Sequence, residues 1–116
     1  MIPKIKFKDN TELPEDFSLY FGKVSDNQLK IMEHTIGLSS HYGKKPYKNA
    51  KGKKLKRYIA YRNYYNASIK NDGYNDIMEL VNNGLMREYA KDFFELTLSG
   101  ISYVARTNEI NIYIGR

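Results

Sequence analysis

The residues of this chain that are best suited to chemistry lie in one window, residues 41–66, which we call the basic window. It contains nine lysine and arginine residues, six tyrosines and no acidic residue. Its formal charge is therefore +9, while the whole chain is +6 and the rest of the chain is −3 (+6 minus +9). Clustered cations attract the phosphates of a nucleic-acid backbone, and aromatic rings among them can stack on bases. This composition predicts binding to DNA or RNA and does not indicate which of the two.

In this interpretation the cationic side chains contact phosphates, while tyrosine rings stack on bases or pack on sugars. The predicted phosphate contacts are Lys44, Lys45, Lys48, Lys51, Lys53, Lys54, Lys56 and Arg57. The candidate ring contacts are Tyr42, Tyr47 or Tyr58. The alternative interpretation divides the window into a solvated lysine loop and a tyrosine strand in the core. Nucleic acid remains a candidate partner because like charges at this density are costly unless they are screened or partnered.

Arg62 is the only charged residue in the aromatic stretch at the end of the basic window. Its guanidinium could bind a base or a phosphate through two parallel hydrogen bonds. Alternatively, it could stack on a neighbouring ring or pair with Asp76 or Glu79, and this second interpretation is favoured. Arg62 is therefore retained as a candidate nucleic-acid contact with a competing structural role.

No combination of residues in the sequence predicts catalysis. Cysteine is absent, which excludes disulfide scaffolds and thiolate zinc sites. Asp92 and Glu95 could hold a metal, but their spacing along a strand predicts opposite faces, and no third acid is close in sequence. His34 lies near a predicted helix end, where histidine more often assists the C-terminus than performs catalysis. We expect a protein that is not an enzyme and that has neither a cofactor nor a bound metal.

Two helices are predicted on either side of the basic window. Ser25 and Gln28 form an S-x-x-Q capping box, and Gly37 is a natural stop, so a helix is predicted over residues 26–36. A second helix is predicted over residues 73–83, with Asp72 as its N-terminal cap. Between them, residues 39–56, which we call the basic segment, are predicted to form a long loop or hairpin.

Strands are predicted where apolar residues alternate with polar ones. The tyrosines of residues 57–67 favour one extended strand. Residues 4–8 predict a short edge strand, because lysines alternate there with apolar residues. The alternating isoleucines of residues 110–114 predict a final strand.

The second half of the chain predicts a hairpin followed by a helix. Two short strands over residues 85–89 and 93–97 surround a predicted turn. Thr97 or Ser99 can then cap a third, short helix. The run IMELVNNGLMREYAKDFFELTLSGISYV thus contains a helix ending in a glycine turn, a hairpin, and a threonine-x-x-glycine step into another helix.

This order resembles the helix-plus-wing portion of winged-helix proteins over about residues 72–105. The position of a recognition helix would hold Asn75, Asp76 and Glu79, and acids facing phosphates argue against ordinary docking in the major groove. The hairpin tip could act as a wing through its cations. Its net charge of −1 across residues 87–95 favours a simple solvent-exposed hairpin.

A wider pattern covers roughly residues 28–104: a helix ending in IGL, then GKKPY, YRNYYNA, a DIMELVNNGLM helix and an LT-x-x-G hairpin. It resembles small proteins of uncharacterised role encoded by phages and prophages of Gram-positive bacteria. The resemblance implies a winged-helix-like α+β fold and a phage origin, with no activity and no site residues to transfer.

The elements together predict an α+β fold: one small domain over residues 1–116, with two to three helices, an antiparallel sheet and the basic residues 41–56 inserted as a loop or hairpin. The first thirty residues contain no long apolar run, which predicts no membrane span, no signal peptide and a cytoplasmic protein, in the host cytoplasm if phage-encoded.

Two alternatives to nucleic-acid binding remain open at this point. The abundance of tyrosine is also typical of a protein-interaction module, for example one that acts on a host or virion protein. The isoleucines of the final strand could form a surface for self-association. The sequence does not indicate an oligomeric state.

Overall fold

The computed structural model describes residues 5–7, 19–38, 57–60 and 62–114. These residues form three helices and six short strands, in the order β1 Ile5–Phe7, α1 Asp26–Thr35, β2 Arg57–Ile59, β3 Tyr65–Asn66, α2 Tyr74–Asn82, β4 Met86–Ala90, β5 Phe93–Leu96, α3 Leu98–Asn108 and β6 Asn111–Ile114. The predicted α+β class with an antiparallel sheet is confirmed. None of the helices in these ranges has the length and apolar character needed to cross a bilayer.

Helix α1 begins and ends at the residues that the sequence predicts. The Ser25 hydroxyl accepts a hydrogen bond from the Gln28 amide at 3.1 Å, and the Gln28 side chain accepts one from the Ser25 amide at 2.9 Å. At the other end Gly37 adopts a left-handed conformation with φ of 80°. The Gly37 amide donates to His34 and the Leu38 amide to Glu33, the paired bonds of a Schellman motif. The chain therefore leaves α1 in a fixed direction at Leu38, which is fully buried.

A parallel sheet of three strands, β1-β6-β2, joins the two ends of the chain. Strand β6 lies in the centre, where Ile112 is opposite both Ile5 and Tyr58. Both edges of β6 are thus paired, and Ile110 and Ile112 are fully buried. The predicted edge strand near the N-terminus is confirmed. This arrangement does not support self-association through the isoleucine strand, because both of its edges are paired and Ile110 and Ile112 are buried.

The single strand predicted over residues 57–67 is wrong, because these residues form two strands in two different sheets. Strand β2 belongs to the parallel sheet, and the Ala60 amide continues it by donating to Tyr113 at 2.8 Å. The chain then crosses the end of α1, where the Tyr64 amide donates to the Thr35 carbonyl at 3.1 Å. Strand β3 pairs instead with β5. The pattern of tyrosines predicts extended backbone, but it does not predict which sheet each strand joins.

The second sheet, in the order β3-β5-β4, is antiparallel and follows α2. Gly73, with φ of 84°, occupies the N-cap position of α2 and makes no side-chain capping bond, so the predicted cap at Asp72 is wrong. The hairpin β4–β5 turns at Lys91 and Asp92, as predicted to within a residue. Thr97 then caps α3 by accepting a hydrogen bond from the Gly100 amide, one of the two predicted caps.

One hydrophobic cluster connects both sheets and all three helices. Its fully buried side chains include Met32, Ile36, Leu38, Ile77, Leu80, Leu85, Met86, Phe94, Val104, Ile110 and Ile112. The end of α1 lies against this cluster through Ile36 and Leu38. The point where the chain enters the basic segment is therefore part of the core.

Candidate nucleic-acid interface

The predicted contact residues divide between those that the structure describes and those that it does not. The predicted contacts that lie outside the described residues are Tyr42, Lys44, Lys45, Tyr47, Lys48, Lys51, Lys53, Lys54 and Lys56. Arg57, Tyr58 and Arg62 lie within the described residues. The structure therefore defines the two anchors of the basic segment, Leu38 on one side and β2 on the other.

Tyr58 joins the two anchors of the basic segment. Its hydroxyl donates a buried hydrogen bond of 2.9 Å to the carbonyl of Ile36, the C-terminal capping residue of α1. The side chain is 8% exposed, and the residue is opposite Ile112 in the parallel sheet. The ring therefore packs within the core and is not open to a base. Arg57 begins β2, where its backbone is paired with Asn111.

Arg62 lies on the ring of Tyr64, with the guanidinium carbon 4.0 Å from the ring centroid. The guanidinium also donates to the carbonyls of Thr35, at 3.3 Å, and of Tyr64, at 2.9 Å. Stacking on a neighbouring ring is the geometry that the structural interpretation predicts. Glu79, one of the predicted alternative partners, accepts a hydrogen bond of 2.7 Å from Gln28.

Tyr64 is a surface residue of the basic window that the sequence did not single out. Its side chain is 45% exposed, while its backbone is held against Thr35 at the end of α1. Arg62 and Tyr64 thus present a cation and a ring near the place where the basic segment leaves the body. The sequence does not distinguish Tyr64 from the other tyrosines of the basic window. Which of these rings are exposed depends on where each strand begins and ends, and the sequence does not show those boundaries.

The hairpin β4–β5 carries more negative than positive charge. Arg87 forms an ion pair with Glu95 across the two strands, and the Glu88 carboxylate accepts a hydrogen bond of 2.9 Å from the Asp92 amide. Residues 87–95 sum to −1. This arrangement agrees with a solvent-exposed hairpin more than with a wing that holds phosphates.

The described residues provide few suitable ligands for a metal ion. They contain no group of three or more histidine, aspartate or glutamate side chains close enough to hold one. Glu95 is engaged by Arg87, and Asp92 lies in the turn with φ of 64°. His34 occupies the last turn of α1, and its ring meets Tyr65 edge-on with 5.4 Å between centroids.

An open groove lies between α1, β3 and the turn that precedes α2. Its volume is about 260 Å³, and its lining residues are Asn27, Lys30, Ile31, His34, Tyr65, Asp72 and Gly73. The sequence pattern of α1 is dominated by its buried apolar stripe, and the groove was not predicted from it. The signal that could have found it is the spacing of residues 27, 30, 31 and 34, which places them on one helical face.

No family model, curated protein or solved structure matches this chain. The resemblance to winged-helix proteins and to phage-encoded proteins therefore stays a prediction.

Proposed function

We propose that this protein is a non-catalytic nucleic-acid-binding protein whose basic segment contacts phosphates. The observation that carries the proposal is the concentration of seven lysines and no acid between two anchors that lie side by side on the core. Leu38 is fixed by the Schellman motif of α1, and Tyr58 ties β2 to the same helix end. Both ends of the segment are therefore fixed at the C-terminal end of α1.

The distribution of charge supports this assignment. The basic segment carries +7, so the other 98 residues together carry −1 (+6 minus +7). Mutual repulsion among closely spaced lysines is relieved when phosphates neutralise them and release their counterions. A polyanion is therefore the partner that such a segment binds most favourably.

Within this proposal the residues near the anchors have separate roles. Tyr58 positions the basic segment through its buried bond to Ile36 and makes no contact with nucleic acid. Arg62 adds positive charge beside the anchors. Tyr64, with its partly exposed ring, takes the stacking role that the sequence analysis considered for Tyr58.

We further propose that the second half is winged-helix-like and that the protein originates from a phage and acts in the host cytoplasm. The succession of α2, the hairpin β4–β5 and α3 supports the structural part of this proposal. Binding through the hairpin or through α2 is disfavoured, since Asp76, Glu79 and the hairpin acids would face phosphates. The basic segment therefore replaces the recognition helix as the contact surface.

The test is fluorescence anisotropy with labelled single-stranded and duplex DNA and RNA across a salt series. The test variant is K51Q/K53Q/K54Q. The matched control is K23Q/K70Q/K91Q, which removes three exposed lysines elsewhere and leaves the same net charge of +3 (+6 minus 3). The test variant should lose at least tenfold in affinity, whereas the control should stay within about threefold.

Two results would contradict the proposal. If the unaltered protein binds none of the nucleic acids at low salt, the function is wrong. If both triple variants lose affinity equally, the net charge of the whole chain explains binding, and the basic segment is not the contact surface.

A second candidate function, a protein-interaction module, is favoured by exposed apolar side chains outside the basic window. Ile69 is 79% exposed and Tyr89 is 48% exposed, the latter on strand β4 at the edge of the antiparallel sheet. Pulldown from nuclease-treated host lysate distinguishes the two functions. A partner protein that is retained after nuclease treatment and lost with Tyr89→Ser supports this second function; loss of every captured protein after nuclease treatment rejects it.

A further inference from the structure

We infer that the groove between α1, β3 and the turn before α2 binds a single unpaired nucleobase of the strand whose phosphates the basic segment holds. This inference rests on the proposed function and makes it more specific, because it assigns binding to single-stranded nucleic acid. Four features of the groove support it: its size, its ring surfaces, its hydrogen-bonding groups and its charge.

The size of the groove suits one ring system. Its volume of about 260 Å³ lies just below the range of roughly 300–1,000 Å³ that is typical of pockets for drug-sized ligands. Ile31 forms part of its apolar lining, and its terminal carbon would be 3.8 Å from a Cβ at Gly73. The absence of a side chain at Gly73 keeps this part of the groove open beside Ile31.

The ring surfaces are provided by Tyr65 and His34. The two rings meet edge to face, with an interplanar angle of 72°. Both side chains are half-buried, and both are held by regular structure, Tyr65 in β3 and His34 in the last turn of α1. A flat base can stack on such a rigid ring with little loss of side-chain freedom.

The hydrogen-bonding groups at the rim suit the edge of a base. The Asn27 side chain has both donors and acceptors, the Asp72 carboxylate accepts, and the Lys30 ammonium donates. All three are exposed side chains that line the groove. One edge of a base carries both hydrogen-bond donors and acceptors. The three side chains at the rim together can pair with both kinds of group.

The charge of the groove favours a neutral ligand over a phosphate. Lys30 and Asp72 cancel each other, so the lining is neutral when His34 is neutral. A neutral base meets no net charge in such a groove, whereas a phosphate finds there no excess of cations like that of the basic segment. The groove and the basic segment thus suit different parts of one nucleotide chain.

The groove also lies close to the anchors of the basic segment. His34 lies in the last turn of α1, four residues before Leu38 in the sequence. On the other wall, Tyr65 directly follows Tyr64, whose amide is bonded to Thr35 at the end of the same helix. A strand held by the basic segment therefore needs to reach only a short distance to place a base between Tyr65 and the α1 face.

The experiment uses NMR of the two histidine rings, because His34 and His41 are the only histidines in the chain. His34 reports on the groove and His41 on the basic segment, and H34Q and H41Q assign the two sets of signals. The full chain is titrated with an oligothymidylate of about ten nucleotides and, separately, with an abasic strand of the same length. The abasic strand has the same phosphates and no bases.

The inference predicts that both histidines shift with the oligothymidylate and that only His41 shifts with the abasic strand. If His41 shifts with both strands while His34 shifts with neither, the groove inference is wrong and the proposed function stands. The groove inference is also wrong if His34 responds equally to both strands. If neither histidine responds to either strand, the groove inference is wrong, and the anisotropy test with duplex DNA and RNA decides whether the proposed function fails as well.

Variants provide a second readout. Tyr65→Leu removes the ring and keeps apolar bulk, and we expect it to weaken oligothymidylate binding roughly tenfold while binding of the abasic strand is unchanged. Tyr89→Leu, which removes a tyrosine ring from β4, is the control and should leave both affinities unchanged. If Tyr65→Leu does not fold, Asn27→Ala on the exposed rim should still weaken oligothymidylate binding several-fold. Equal losses for both strands would overturn the inference.

Discussion

Replacing Tyr58 with phenylalanine separates positioning of the basic segment from contact with nucleic acid. The substitution keeps the ring and deletes the hydroxyl that donates to the Ile36 carbonyl at 2.9 Å. Ile36 is fully buried, so its carbonyl loses a partner where water does not readily replace it. A lost bond of this kind costs about 1–2 kcal/mol in the free energy of unfolding, which lowers the Tm of a chain of this size by roughly 4–10 °C.

The assay for this prediction combines urea unfolding with anisotropy well below the Tm. Tyr58→Phe should lower the unfolding midpoint and leave the nucleic-acid affinity within about twofold, because the hydroxyl holds α1 and makes no contact with the ligand. Tyr64→Phe is the control: the same atom is removed from a ring that is 45% exposed, and we expect a change in stability below about 0.5 kcal/mol. Equal stability of the two variants, or a tenfold loss of affinity for Tyr58→Phe alone, would refute the assigned roles.

Three further predictions concern the elements that support the site, and urea unfolding checks each of them. Gly100→Ala should destabilise the fold by roughly 2–3 kcal/mol despite its better helix propensity, because the added Cβ overlaps the backbone carbonyl of Leu85; a stabilised variant would contradict the close packing of α3 on that backbone. Ser25→Ala should cost about 1 kcal/mol by removing the capping box of α1, and an unchanged midpoint would show that the cap contributes nothing. Arg87→Gln should change stability by less than about 0.5 kcal/mol, since its ion pair with Glu95 is on the surface and the arginine side chain is 68% exposed; a large loss would mean that the hairpin depends on that pair.

Local signals in the sequence predicted the helix ends and the hairpin. The capping box at Ser25 and the cap at Thr97 each depend on residues three positions apart, so the sequence contains the whole interaction. The alternating isoleucines likewise define β6 by themselves. Asp72 is not the N-cap of α2, because Gly73 occupies that position in a left-handed conformation.

Long-range pairing could not be predicted in the same way. The parallel sheet brings Ile5 beside Ile112, and no local pattern indicates which distant strand is the partner. The buried Glu33 is similar, since it accepts a hydrogen bond from Asn108, 75 residues away. The division of residues 57–67 between two sheets follows from this same long-range pairing.

The candidate site likewise has parts that the sequence predicted and parts that it could not predict. Charge and composition identified the basic segment, because they are properties of the sequence alone. The stacking of Arg62 on Tyr64 was one of two predicted alternatives, and geometry was needed to choose between them. The spacing of residues 27, 30, 31 and 34 indicates only the α1 wall of the groove, because its other walls come from β3 and a turn that are brought to α1 by the fold.

The central claim, that the basic segment holds phosphates, is tested most directly by the salt dependence of binding. For single-stranded nucleic acid each neutralised phosphate contributes about 0.7 to the slope of log K against log salt concentration. The unaltered protein should therefore show a steep slope, K51Q/K53Q/K54Q should reduce it by about 2, and K23Q/K70Q/K91Q should leave it unchanged. A slope that is the same in all three proteins would contradict the claim.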